Sequence, residues 1–170
     1  MNIFILDKDV YRSARFHCDK HIVKMPLETA QMLCTVLREV VGEDASFERQ
    51  YKSTHKHHPC VKWASESYEN YEYLCRLGVA LCKEYTHRYS KYHKCWSVII
   101  SCSLNSYKFQ NRFPKQKRTK FAQAMPEQYK QVDSVKAYRM YYLNEKQHLF
   151  AWKNRETPKF ILDSQIKKTN

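Results

Sequence analysis

The chain has 170 residues, a formal charge of +13 from 30 Lys plus Arg against 17 Asp plus Glu, seven Cys and two Gly. That length fits one domain, and no apolar run reaches the roughly 18 residues of a membrane span. The charge draws the chain toward polyanions, nucleic acid first. The scarcity of glycine excludes a Gly-rich phosphate loop and a dinucleotide fingerprint, and argues against hairpin-rich β structure.

Met1 to Leu6 is short and apolar and reads as extended. Asp7 or Asp9 caps a helix from about Val10. The helical pattern runs to about Val41 and stops at Gly42, the natural C′ residue. Pro26 lies inside it and is expected to kink or split it. Within this segment His17, His21, Lys24, Glu28 and Gln31 follow one another at three- or four-residue steps, which places them on one helical face. Ile22, Leu27, Ala30, Leu33, Cys34, Leu37 and Val41 make the apolar stripe beside it.

Glu43 to Pro59 reads as a polar loop ending in His55, His57, His58 and Pro59. A long helix is expected from Cys60 to about Ser90, with Gly78 allowing a close contact, and a third from Tyr92 to Leu104. Ser106 to Asp133 is irregular and holds the basic cluster of Arg112, Lys115, Lys117, Arg118 and Lys120. A loop this long is usually functional, and these cations suit phosphates. Asp133 or Ser134 then caps a last helix to about Trp152. The expected architecture is all-α: one domain over 1–163, three to four long helices and a basic loop, then a mobile tail over 164–170.

Two imidazoles, an ammonium and a carboxylate in one stripe are poor core material and good acid–base chemistry. Glu28 is the natural base or electrostatic stabiliser. Lys24, one turn before it, either binds phosphate or serves as a nucleophile. The plain alternative is a solvated Lys24–Glu28 helix pair worth a few tenths of a kcal/mol. His17, Cys18, His21, His55, His57, His58 and Cys60 are zinc-competent, but without paired ligand spacing no metal is assigned. The odd Cys count, with no secreted spacing, reads as reduced thiols in an intracellular protein.

The run Asp19-Lys20-His21-Ile22-Val23 followed by Glu28 resembles the first helix of the phage pyrimidine-dimer DNA glycosylases of the endonuclease V type, which carry an Asp-x-His run with the catalytic Glu seven residues after the His. His58 ahead of Trp63, and Leu143-Asn144-Glu145-Lys146 before an aromatic, basic stretch, are looser similarities. The His-Cys-Asp-Lys-His and Glu-Thr-Ala-Gln wording is also similar to uncharacterised phage proteins. The resemblance implies an all-α glycosylase and abasic-site lyase that needs no cofactor, moves a base out of the DNA helix and attacks C1′ with an N-terminal amine. It makes Glu28 the catalytic carboxylate and His21 a substrate contact, with Met1 or Lys24 as the amine. His17, Gln31, His58 and Arg139 are the substrate-binding candidates. This sequence departs from the family where Asn2 replaces a small residue, and where Leu27 and Gln31 replace two arginines around the Glu. Damaged or modified pyrimidines in DNA are the expected substrate. A protein acting on free nucleotides and a non-enzymatic DNA-binding module are the alternatives.

Overall fold

The structure is a computed structural model that describes residues 1–42 and 51–169. Among these residues it is all-α. The helices are α1 (Val10–Phe16), α2 (Asp19–Val41), α3 (Pro59–Glu66), α4 (Tyr68–Tyr89), α5 (Trp96–Asn105), α6 (Ser134–Glu145) and α7 (Lys159–Thr169), with three short 3-10 turns. The expected loop from Glu43 lies, over 43–50, outside the described residues.

Helices α2 and α4 form the centre of the fold, with α1, α3 and α5 packed around them. Ile22, Ala30, Leu33, Cys34 and Leu37 of α2 are buried, as the periodicity requires. Leu27 departs from its stripe and is 39% exposed. Tyr71, Leu74, Cys75, Leu81 and Cys82 of α4 supply the opposing surface. All seven cysteines are free and buried.

Several boundaries differ from those read in the sequence. The first long helix breaks at His17 and Cys18, whose backbones are extended, and not at Pro26. Helix α2 runs through Pro26, which is buried in the core with its neighbours Ile22, Met25 and Ala30. That burial offsets the roughly 3 kcal/mol a helical proline costs. The second long helix breaks at Ser67, where the backbone is extended and the hydroxyl accepts the Asn70 N–H to cap α4. Helix α6 ends at Glu145 instead of Trp152. The segment expected to be a mobile tail from Ser164 is helical as far as Thr169. Asp9 and Asp133 cap α1 and α6 as expected.

Gly78 has a packing reason. A Cβ built there would lie 2.8 Å from Thr29 Cγ2 of α2 and 3.0 Å from Ile99 Cγ2 of α5. The missing side chain is what lets three helices meet. Gly78→Val is expected to lower stability by about 1–3 kcal/mol through overpacking. Urea midpoints would show it, and an unchanged midpoint would mean that the helices part without cost.

The junction of α1 and α2 is held by a buried guanidinium. Arg88 of α4 is 1% exposed and donates to Glu84 Oε1 at 2.8 Å, Asp19 Oδ1 at 2.9 Å and the Arg15 carbonyl at 2.9 Å. Arg155 closes the network on Glu84. A buried charge persists only when its donors are satisfied in this way. Asp19 also accepts the Lys153 N–H, so the first residue of the Asp-x-His run fixes where α2 begins.

Candidate active site

The site is assembled from both ends of the chain around the N-terminal half of α2. Residues 2–6 are buried although they form no regular element. Phe4 has φ +34°, in the left-handed region that a bulky residue enters at a cost of roughly 1–2 kcal/mol. The bend seats the Phe4 ring on His21, with centroids 4.6 Å apart and planes 23° apart, and within 6.1 Å of Tyr141 on α6. The N-terminal segment thereby threads between α2 and α6.

That path delivers the start of the chain to Glu28. Glu28 Oε2 accepts the Asn2 N–H at 3.0 Å and lies 3.6 Å from the α-amine of Met1. Its other oxygen, Oε1, pairs with Lys24 Nζ at 3.0 Å. Asn2 is anchored from the far side by its amide, which donates to the Ala124 carbonyl at 2.8 Å. A cavity of about 220 Å³ opens here, lined by Met1, Asn2, Phe4, His21, Lys24, Met25, Glu28, Ala124, Tyr141 and Lys146. One carboxylate thus shares the cavity with three cationic groups, the Met1 amine, Lys24 and Lys146, which favours an anionic ligand.

His21 is tuned by its surroundings. Its Nδ1 lies 2.8 Å from the Tyr142 hydroxyl, which also accepts the Cys18 N–H at 2.9 Å. The Tyr142 hydroxyl thereby ties the His21 ring to the start of α2. Burial foremost, then the charges of His17, Lys146, Lys24 and His148, push the His21 pKa down to about 3. His21 is therefore a neutral imidazole at physiological pH.

Four of the residues singled out in the sequence converge here: Met1, His21, Lys24 and Glu28. His17 does not reach the cavity. It is completely buried at the α1–α2 break, its Nδ1 bonds the Ser13 carbonyl at 2.7 Å, and burial pushes its pKa down to about 4. Gln31 lies beyond the cavity, half-exposed. His58 caps α3, accepting the Cys60 N–H at 3.1 Å, and its pKa is lowered by burial and then by the nearby N-terminal amine. Arg139 points away from the cavity. It binds the Leu6 carbonyl and Asp7 and covers the rings of Phe16 and Phe160.

The basic loop is docked on the start of α4. The Tyr68 and Glu69 N–H groups donate to the Lys115 and Gln116 carbonyls, and Thr119 pairs with Asn70. Lys115 is paired with Glu66, and Arg118 lies over Tyr73 and Phe121, while Arg112, Lys117 and Lys120 are exposed. Four residues beyond Lys120 the same segment reaches Ala124 at the cavity wall.

Sequence reading missed Asn2, Phe4, Tyr141, Tyr142 and Lys146 as parts of the site. The α6 residues carried a legible signal. Tyr138, Tyr141, Tyr142 and Lys146 recur at helical spacing, and Lys146 stands in the Leu-Asn-Glu-Lys run.

The family described as pyrimidine dimer DNA glycosylase matches residues 1–97, which hold the amine, Lys24, Glu28 and His21. The chain belongs to this family. No curated protein and no solved structure matches it. The matched span covers α1 to α4 and the start of α5. The remaining wall of the cavity, from Ala124 to Lys146, lies outside it. Among the described residues no helix is long and apolar enough to cross a membrane.

Proposed function

We propose that this glycosylase releases a damaged pyrimidine from DNA by amine attack and then cleaves the abasic strand. The observation that carries the reading is the Met1 amine, 3.6 Å from the buried Glu28 carboxylate in one cavity with His21 and Lys24. A neutral amine attacks the sugar C1′ as the glycosidic bond breaks and the base departs with its electron pair. Glu28 stabilises the positive charge that develops on the sugar and takes the proton the amine must lose. The resulting C1′ imine activates the C2′ hydrogen, whose removal expels the 3′ phosphate. Water then hydrolyses the imine and restores the amine.

The geometry favours Met1 over Lys24 as the nucleophile. The Met1 side chain is 3% exposed and its amine faces the carboxylate, whereas Lys24 is 66% exposed at the rim. Lys24 and Lys146 are placed to hold the flanking phosphates. The neutral His21 ring, which lines the same cavity, contacts the substrate.

Borohydride trapping on dimer-containing duplex tests this. The expected product is a protein–DNA adduct whose peptide map ends at the Met1 amine. An adduct on Lys24 would move the nucleophile one helical turn. Base release with no adduct would leave a glycosylase that uses water.

A further inference from the structure

A second concavity lies on the neighbouring side of α2, and the reaction above does not use it. Its volume is about 420 Å³, and its walls are Val23 and Leu27 of α2, Tyr51, Tyr85 of α4 and the α4–α5 connection from Lys91 to Cys95. Val23, Leu27 and Tyr92 are 47, 39 and 78% exposed, a cluster of apolar surface that the fold leaves uncovered among the described residues. Leu27 adjoins Glu28 in sequence, so the groove borders the catalytic carboxylate across one helix.

Three tyrosines, two aliphatic side chains and two lysines line this groove together with His93, and none of its described lining residues is acidic. Tyr85 and His93 are braced edge to face at 4.8 Å, and His93 Nε2 lies 3.1 Å from the Val23 carbonyl. The loop is thus fixed to α2, with Tyr92 projecting beside Trp96 at 6.5 Å. Flat faces next to flexible cations, with no carboxylate among the described lining residues, are the physical recipe for sequence-tolerant binding of unpaired nucleotides. An apolar peptide would gain nothing from the lysines. A duplex would present its stacked bases edge-on and leave the ring faces unused.

We propose that this groove is a docking site for single-stranded DNA, with an unstacked base against Tyr92 and its neighbours and the adjoining phosphates on Lys91 and Lys94. The strand then lies beside the Glu28 cavity, on the side of α2 that carries Val23 and Leu27.

The test uses the full chain carrying Glu28→Gln, so that binding is read without chemistry and stands apart from the glycosylase reading. The probe is a labelled thymidine oligomer of about ten nucleotides, within the site sizes such grooves accept. Tyr92→Ala is expected to weaken single-strand binding about 5- to 100-fold, the value of one stacked base, while Tyr92→Phe keeps it. Changing Lys91 and Lys94 together to Gln should lower the log–log salt slope by about 1.4, at 0.7 per phosphate on a single strand. Tyr92 is exposed, so its substitution leaves the fold intact, which melting would verify. Unchanged affinity in Tyr92→Ala overturns the proposal. So does thymidine monophosphate competing as tightly, mole for mole, as the oligomer, because the occupant would then be a free nucleotide. Loss of single-strand binding with duplex affinity preserved would support it most directly.

Discussion

Glu28→Gln is expected to slow base release by roughly 10² to 10³-fold while the protein stays folded. The magnitude is that of removing one preorganised charge contact from a transition state, about 3–4 kcal/mol. The cause is electrostatic: the carboxylate faces the site where a sugar cation forms, and an amide of the same shape cannot neutralise it. The fold should survive because the amide oxygen still accepts the Asn2 N–H that Glu28 Oε2 now holds. The cost is confined to the pairings with Met1 and Lys24. Lys24 is mostly exposed, where an ion pair is worth about 1 kcal/mol or less. Single-turnover cleavage of the glycosidic bond on dimer-containing duplex, read as alkali-labile strand breaks beside a thermal melt, separates the outcomes. Full activity, or loss of the fold, would make Glu28 a structural residue.

How much of this was legible in the sequence follows from the distance over which each contact forms. His21, Lys24 and Glu28 stand on one helix, so their spacing alone brings them together. His17 obeyed the same spacing and was misread. The helix ends one residue before it, and a break at an extended His-Cys pair carries no Gly or Pro signal. Pro26 carried that signal and breaks nothing, because tertiary packing overrides the local cost. Leu27 fitted the apolar stripe, yet it faces a groove left open at the α4–α5 connection. The delivery of the N-terminus to Glu28 was implied by the family resemblance alone, and the contacts that achieve it were not legible. It depends on Asn2 meeting Ala124, 122 residues away, and on the strained backbone of Phe4. Arg139 was the α6 candidate, but its neighbours Tyr141 and Lys146 line the cavity and Tyr142 backs it through His21. The stretch read as irregular from Ser106 to Asp133 is so only between its 3-10 turns at Ser106–Arg112 and Glu127–Tyr129. Its anchoring on Asn70 and Glu66 is again long-range.

Lowering the pH from 7 to about 4.5 should remove about 5 kcal/mol of stability, most of it above pH 5, before most carboxylates protonate. His17 and His21 are buried as neutral rings with pKa values pushed down to about 4 and about 3. In the unfolded chain both return to about 6.5. Below that pH the unfolded state binds two protons that the folded state refuses, so stability falls as pH falls. The slope approaches about 1.4 kcal/mol per pH unit for each ring, and it persists until the folded rings protonate near pH 4 and pH 3. Above about pH 7 neither ring contributes any slope. Urea midpoints at pH 7, 6 and 5 would trace the decline, and His17→Asn should halve the slope even if it lowers stability throughout. A flat profile over that range would mean that both rings accept protons inside the fold. The same burial sets a condition on catalysis. A ring that stays neutral down to about pH 3 imposes no acid limb on the rate, so kcat/KM should show none near pH 6.5 that disappears in His21→Gln. Finding such a limb would make His21 a titrating acid and require a cavity more open to water than the packing of Phe4 and Tyr142 allows.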